Sequence, residues 1–397
     1  FRVRKFMKLF KSLLVAPATL GLLAPMSATA NEVTISDFTP AEQLAITNSR
    51  VDGLEARVNN IEAGSFNEST TATFAVDFAI GAVDGLSEDT TGTSNADLEG
   101  DQTVQATYGF QIDLTTNFTD DDVLAVSLDA GNGLTTGPLA EFDLNGQYNG
   151  ANADLLSVDG VSYTFQATDK VAVIVGDNTD GSALFTTHCA YGGPSNTLDD
   201  CGNVNAGITN GGFMVGASYD FENNWTAAVG YAGPETDVMT REGVDAFGAN
   251  IAYSADNYGF SATYGSIDSA TTAGGSTPDG EVDSYTAFNG YYTFDSGLSV
   301  SAGYEFGDIG GAAATADESI NYFAGVSFPA GDGELGAAFG TSGGQIEGQD
   351  EELMYEAYYS YPLNDGMTIT PLVFVKEKAA AGNPDQTGVM VKTSFSF

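Results

Sequence analysis

The sequence predicts an all-β fold: a 16-stranded antiparallel transmembrane β-barrel with a short N-terminal coiled-coil helix. Three observations lead to it. The chain ends on VKTSFSF, which alternates apolar and polar side chains up to Phe397, where most chains end in a frayed polar segment. Sixteen segments with the period-two alternation of strands follow one another along the chain. The connections between them alternate long and short, as in barrels with brief periplasmic turns and longer external loops.

The N-terminus reads as a secretory signal over residues 1–30. MKLFKSLLVAPATLGLLAPMSATA has two lysines, an apolar run from Leu13 to Leu23 and a small-x-small site ending at Ala30. We expect cleavage after Ala30, with residues 1–6 upstream of the true start at Met7. The apolar run is too short for a membrane-spanning helix. Insertion into a membrane would therefore have to use strands.

Charge excludes one class of partner. Five of the 12 basic residues and none of the 54 acidic ones precede Asn31, so the mature chain has 7 basic and 54 acidic residues, a net charge of −47. Nucleic acid is excluded as a natural partner, since its phosphates would be repelled. Two explanations of the acidity stay open: solubility in salt, or a surface or pore that attracts cations.

Residues 31–64 are predicted to form a linker and a coiled-coil stalk. Apolar positions recur at alternating spacings of three and four, the a/d pattern of a heptad seam. The seam consists of Leu44, Thr47, Val51, Leu54, Val58 and Ile61. The preferred interpretation is a self-associating stalk beneath an oligomer. The alternative is an amphipathic helix that packs on the barrel or plugs it.

Residues 65–397 are predicted to form the barrel. The candidate strands are 71–80, 103–115, 122–130, 155–166, 169–177, 211–221, 224–232, 245–255, 257–267, 282–294, 297–307, 318–328, 332–341, 352–361, 366–377 and 388–397. A β-sandwich would also alternate, but it would not explain the export signal, the loop asymmetry and the terminal Phe together. No fixed repeat of 20 to 50 residues supports a solenoid.

Alternation also predicts which charged side chains face inward. In ATFAVDFAI, the apolar residues fall on one face and Asp77 on the other. The predicted inward set is Asp77, Asp113, Asp129, Lys170, Glu305, Glu356, Lys376 and Lys392. Lys376 and Lys392 lie on neighbouring strands, so they are expected to form a cationic patch. The rings of AFNGYYTF occur on both faces, which leaves that strand unassigned.

Catalytic motifs are scarce, so the chain is predicted not to be an enzyme and to need no cofactor or metal. The single histidine, His188, rules out a multi-histidine metal site, and neither HExxH nor CxxC occurs. His188 with a serine could serve a hydrolase, but its glycine-rich setting favours a structural role. The run Asp120–Asp122 could hold calcium or form a solvated turn.

Both cysteines, Cys189 and Cys201, lie in the third long loop. Two cysteines in an exported protein indicate one disulfide. A disulfide that closes the segment between Cys189 and Cys201 would stabilise it by about 3 kcal/mol in the chain-entropy model. The bridge could shape a functional loop or simply restrain it.

Several segments together resemble cyanobacterial outer-membrane porins, relatives of the carbohydrate-selective porins. They are the signal MKLFKSLLVAPATLGLLAP, the heptad segment SRVDGLEARVNNIEAG leading into the barrel, the loop with HCAYGG and DDCGN, and the terminal SFSF. The resemblance implies a homotrimer in outer-membrane lipid that passes small solutes and inorganic ions, with some members of the family linked to iron uptake. Such porins usually carry an S-layer-homology domain that grips peptidoglycan or cell-wall polymer. Here only about ten residues separate Ala30 from the helix, too few for that domain.

The resemblance also gives the third loop a role. In sixteen-stranded porins this loop folds into the lumen and narrows it, which makes its acids the expected constriction. Those acids are Asp177, Asp180, Asp199 and Asp200. The expected function is an outer-membrane diffusion channel with a preference for cations. A barrel adhesin or phage receptor and an outer-membrane hydrolase are the alternatives.

Overall fold

The structure is a computed structural model that describes residues 39, 48, 51, 70–85, 104–133, 139–142, 144, 154–209, 212–236, 238–240, 243–268, 282–310, 317–378 and 385–397. The chain divides into two units, Phe1–Asn67 and Glu68–Phe397. In the first unit Asn48 and Val51 are helical, and Val51 is exposed. The predicted signal peptide and all the seam residues except Val51 lie outside the described residues; those seam residues are Leu44, Thr47, Leu54, Val58 and Ile61. None of the helices within the described ranges is long and apolar enough to span a membrane.

The second unit is built from strands. They are β1 Thr70–Asp84, β2 Gln105–Thr116, β3 Asp122–Gly131, β4 Ser157–Thr168, β5 Val171–Asp177, β6 Phe213–Asp220, β7 Trp225–Gly233, β8 Ala246–Ser254, β9 Tyr258–Asp268, β10 Val282–Thr293, β11 Ser299–Asp308, β12 Glu318–Ala330, β13 Gly333–Thr341, β14 Gln345–Ile346, β15 Leu353–Asn364, β16 Met367–Lys376 and β17 Gln386–Ser396. A short 3-10 helix, Ala140–Phe142, lies between β3 and β4.

Sixteen of these strands form a closed antiparallel wall, which confirms the predicted fold. The two-residue β14 pairs with the start of β12, while β13 pairs directly with β15. β14 is therefore an addition at the rim. The wall closes because β1 pairs with both β2 and β17. Closure leaves no open edge, which hydrocarbon would not tolerate.

The last residue completes the seam. Phe74 N donates to Phe397 O at 2.9 Å, and Phe397 N donates to Phe74 O at 3.1 Å. The two rings stack with their centroids 5.5 Å apart. The alternating aromatic strand β17 thus closes the wall against β1.

The two faces of the wall differ as alternation predicts. Phe78 is 52% exposed on the outside, whereas the adjacent Asp77 is 4% exposed on the inside. The structure also assigns β10, whose rings occur on both faces. Phe288 and Tyr292 are exposed on the outer surface, and Asn289 between them is buried inside. An apolar exterior is the surface that lipid requires.

A closed wall of this kind should make the protein heat-modifiable. Paired strands in a closed barrel resist mild detergent, so an unboiled sample should migrate on a gel differently from a boiled one. Circular dichroism of the unboiled sample should show mainly β-structure. Identical mobility before and after boiling, together with a helical spectrum, would contradict the fold.

Candidate functional site

Loop 3, residues 178–212 between β5 and β6, lies inside the barrel along the part that the structure describes. Thr186 N donates to Asn250 Oδ1 on β8 at 3.0 Å. Further along, His188 Nε2 lies 3.1 Å from the hydroxyl of Ser254. Ser254 is the last residue of β8, at the end of the barrel where short turns join the strands. The loop therefore enters from the long-loop end and reaches the opposite end of the barrel.

A buried carboxylate on β11 anchors the return of this loop. Glu305 is 0% exposed. It accepts hydrogen bonds from Asn205 N at 2.8 Å, Ala206 N at 2.7 Å and Asn205 Nδ2 at 2.8 Å. Asn321 Nδ2 on β12 adds a fourth at 2.8 Å. Hydrogen bonds to a charged group are among the strong ones, so Glu305 holds the loop firmly against the wall.

The disulfide fixes the middle of loop 3. Cys189 and Cys201 are bonded to each other. Cys201 O accepts a hydrogen bond from Asn289 Nδ2 on β10 at 2.9 Å. The same carbonyl lies directly on Gly303 of β11, where any Cβ atom would overlap it. Glycine is needed here because the loop backbone and the wall backbone are in contact.

An apolar cluster packs inside the barrel against β12 to β17 and β1. The Tyr191 ring of loop 3 packs beside Phe323 and Tyr358. Its hydroxyl donates to Glu356 Oε1 at 2.6 Å. Burial, helped by the charge of Glu356, raises the pKa of the Tyr191 phenol, so it remains a donor. The loop is packed against this side of the wall like a small protein core.

The inward lysines contact loop 2, residues 132–156 between β3 and β4. Lys376 Nζ forms an ion pair with Glu141 Oε1 at 2.7 Å and contacts Thr197 Oγ1 at 3.0 Å. Lys392 Nζ lies 5.9 Å from the centre of the Phe142 ring and 3.3 Å from Phe142 O. Sequence reasoning missed Glu141, because no local pattern links residues so distant along the chain.

Several aspartates lie close together on the inner wall, along β2 to β4. Asp113 Oδ1 accepts from Ser127 Oγ at 2.6 Å, and Asp129 Oδ1 accepts from Ser157 Oγ at 3.3 Å. Asp159 lies within electrostatic range of Asp113, Asp129 and Asp180. A cavity of about 320 Å³ opens here, lined by Ala125, Ser127, Asp159, Gly160, Ser162, Asn178, Thr179 and Asp180.

Two predicted site residues are misplaced. Asp177 was expected in the constriction, but it is the last residue of β5 and shares the outer face with Val175, since Ile174 and Gly176 face inward. Lys170 was expected on the inner wall. It lies in the β4–β5 turn and pairs with Glu222 at 2.7 Å. An exposed pair of this kind contributes little to stability.

The other predicted residues take the following positions. Inward positions of the wall hold Asp77, Asp113, Asp129, Glu305, Glu356, Lys376 and Lys392. Asp180, Asp199 and Asp200 lie in loop 3 and are exposed. Asp199 and Asp200 directly precede Cys201, on the part of the loop that contacts β10 and β11.

The candidate catalytic and metal residues have structural roles. Burial lowers the pKa of the His188 imidazole, which packs against the Tyr291 ring. Asp122 caps its turn by accepting from Phe118 N at 2.7 Å and Thr119 N at 3.0 Å. Within the described ranges, no group of three or more His, Cys, Asp or Glu residues could hold a metal ion.

The segment 340–344, GTSGG, matches the G-x-S-x-G pattern of hydrolase nucleophiles. In those enzymes the serine stands on a sharp turn between a strand and a helix. Here the segment leads from the end of β13 to the short strand β14. The segment therefore matches the hydrolase pattern in sequence but lacks the strand–turn–helix geometry that a nucleophilic serine needs.

Comparisons with known proteins identify the fold. No protein-family model matches the chain, and no curated protein matches it. Among solved structures, OprB of Pseudomonas putida superposes with a TM-score of 0.62 at 11% identity, covering 83% of this chain and 94% of OprB. A variant of Rh. blastica porin gives 0.52 at 14% identity, with 83% and 100% covered. A loop-deleted OmpT, an outer membrane protein of Vibrio cholerae, gives 0.54 at 12% identity, again with 83% and 100% covered. At these identities the likeness shows a porin-type fold alone.

Proposed function

We propose that this protein is an outer-membrane porin, a water-filled channel for passive diffusion of small hydrophilic solutes and inorganic ions. One observation carries the proposal: loop 3 runs through a closed sixteen-stranded barrel and packs against most, but not all, of its inner wall. Barrels of 16 strands are wide enough to leave an aqueous channel. Transport then follows from geometry and charge, with no catalytic step and no cofactor. The fold of the solved neighbours supports the same proposal.

We also propose that the channel prefers cations. Between residues 58 and 240, Lys170 is the only lysine or arginine. Asp159 and Asp180 line a cavity on this part of the wall, and Asp113 and Asp129 lie within electrostatic range of Asp159. Of the two inward lysines, Lys376 is neutralised by Glu141. Carboxylates in a low-dielectric barrel focus a negative potential on the passing ion.

The proposed location is the outer membrane, reached by export through the periplasm, with lipid contacting the apolar exterior. The proposed assembly is a homotrimer. The stalk seam supports it, because apolar a and d positions associate helices. Replacing Val51, Leu54, Val58 and Ile61 with serine is expected to weaken the trimer and to leave the barrel folded.

Native electrophoresis over a range of temperatures measures that effect. Replacing Asp52 and Asn59, which lie off the seam, with serine is the matched control. If the seam variant dissociates at the same temperature as the control, the helix has another role, such as packing on the barrel or plugging it.

Planar-bilayer recording of the folded protein tests the channel itself. A porin should give uniform stepwise increases in conductance as single proteins insert. Folded barrels that insert without conductance steps would contradict the proposal. That result would favour the adhesin or phage-receptor alternative, which relies on external loops.

A further inference from the structure

We infer that the open passage runs off-centre, along the inner face of β2 to β4, and that Asp159 is a selectivity-determining residue of that passage. This inference rests on the proposed channel function and goes beyond it by stating where ions pass and which side chain they meet there. Two independent features lead to it: the uneven burial of the inner wall, and a bulge in β4.

Inner-facing side chains are buried over most of the barrel. From β8 to β16, strands alternate between buried inner and more exposed outer residues. Loop 3 covers this region through contacts with β8, β10, β11 and β15. Ser301 is an example: it is 2% exposed, and its hydroxyl accepts a hydrogen bond from Ala190 N at 2.9 Å. An ion could not reach this surface without displacing the loop.

Inner-facing side chains along β2 to β4 are different. Their positions remain half-buried or exposed along most of each strand. They include Gln111, Asp113, Thr115, Val123, Ala125, Ser127, Asp129, Ser162, Thr164 and Gln166. Apart from Val123 they are small or polar, and none is aromatic or basic. Loop 3 does not bury these inner-facing side chains, so water and ions can pass along this part of the wall.

The bulge places an additional acid on this wall. Ser127 pairs with Gly160, but the next residue, Leu128, pairs with Val158, so Asp159 is the extra residue of β4. In a regular strand, the residue beside the inward-facing Gly160 would point toward lipid. A bulge re-aims such a side chain. Asp159 accordingly lines the cavity and interacts electrostatically with the other acids there.

The residues around Asp159 are mostly acidic, so its charge adds to a negative potential in the passage. Asp113 and Asp129 come from the wall, and Asp180 comes from the start of loop 3. Together with Asp159 they line one side of this stretch of the passage with carboxylates. The only lysine on these strands and turns, Lys170, lies in the turn at the far end of β4 and pairs with Glu222. The potential in this stretch is therefore set by acids.

Thiol accessibility tests the path. The two native cysteines are joined in a disulfide, so a cationic methanethiosulfonate reagent would react only with an introduced thiol. Ser127→Cys and Ser162→Cys are expected to react and to lose conductance during recording. The control, Ser301→Cys, should keep its conductance because loop 3 covers it. Loss of conductance at Ser301 with none at Ser127 and Ser162 would overturn the path, even if the protein remains a cation-preferring channel.

Reversal potentials test Asp159. Asp159→Asn should reduce the ratio of K⁺ to Cl⁻ permeability by about two-fold, as expected for losing one nearby charge in a watery passage. Asp177→Asn is the matched control, since Asp177 lies at the same end of the barrel on the outer face. If Asp159→Asn leaves the ratio unchanged while single-channel steps persist, Asp159 does not set selectivity, although the porin function would stand.

Discussion

Replacing Glu305 with alanine is expected to release loop 3 from the wall and to give larger, noisier single-channel steps. The substitution removes the acceptor of four hydrogen bonds from Asn205, Ala206 and Asn321. A buried donor left without its partner costs about 1–3 kcal/mol. Because four hydrogen bonds to the same side chain are lost together, we expect loop 3 to detach from the wall at this point. The barrel should persist, because β11 keeps its backbone pairing with β10 and β12.

Single-channel recording and limited proteolysis of loop 3 measure this effect. Glu318→Ala is the control, because Glu318 is exposed at the start of neighbouring β12. Conductance and protease resistance equal to the control would mean that Glu305 does not position the loop. Glu305→Gln should be intermediate, since an amide retains one acceptor oxygen but loses the charge.

A valine in place of Gly303 should displace loop 3 by steric overlap. The carbonyl of Cys201 occupies the space that a Cβ atom would need, and that carbonyl belongs to the disulfide-closed part of the loop. Because β11 is fixed in the wall, the loop has to move. We expect the disulfide to form as before but the conductance to rise, with a wider spread of step sizes.

Gly290→Val provides the comparison for this variant. Gly290 lies on neighbouring β10 in an outward position, where the atom nearest to an added Cβ would be Gly259 O at 3.3 Å. Both variants add the same side chain to a strand, so any general loss of strand stability should be shared. Conductance that rises equally in both, or in neither, would argue against a tight contact at Gly303.

The strands of the barrel could be predicted because lipid outside and water or loops inside enforce a period of two. All sixteen predicted segments overlap the strands of the wall. The short β14 and the 3-10 helix at Ala140 were missed, because neither carries a periodic signal. The faces of β10 were ambiguous because Tyr285 and Tyr291 lie inside while other rings lie outside. Only packing against neighbours decides such a case.

The site was less predictable, for two physical reasons. Alternation fails where the chain leaves a strand, which is why Lys170 was misplaced. Asp177 was counted with the third loop, although it is still the last residue of β5 and follows its alternation. Alternation also fails at a bulge, which sequence does not reveal, and so Asp159 was missed. In addition, long-range pairs such as Glu141 with Lys376 form only after the loops fold into the barrel. Residues in the middle of strands, such as Glu305, were assigned to the inner face by alternation alone.

The most direct test of the proposed cation-preferring channel is its reversal potential under a KCl gradient. The wild type should prefer K⁺, and Asp113, Asp129 and Asp180 changed together to Asn should move the reversal potential toward zero. Asp308→Asn, on the outer face at the rim, should match the wild type. The preference should fade as salt rises, since screening acts over about 10 Å at 0.1 M. An anion-selective wild type, or a triple variant with unchanged selectivity, would contradict the account.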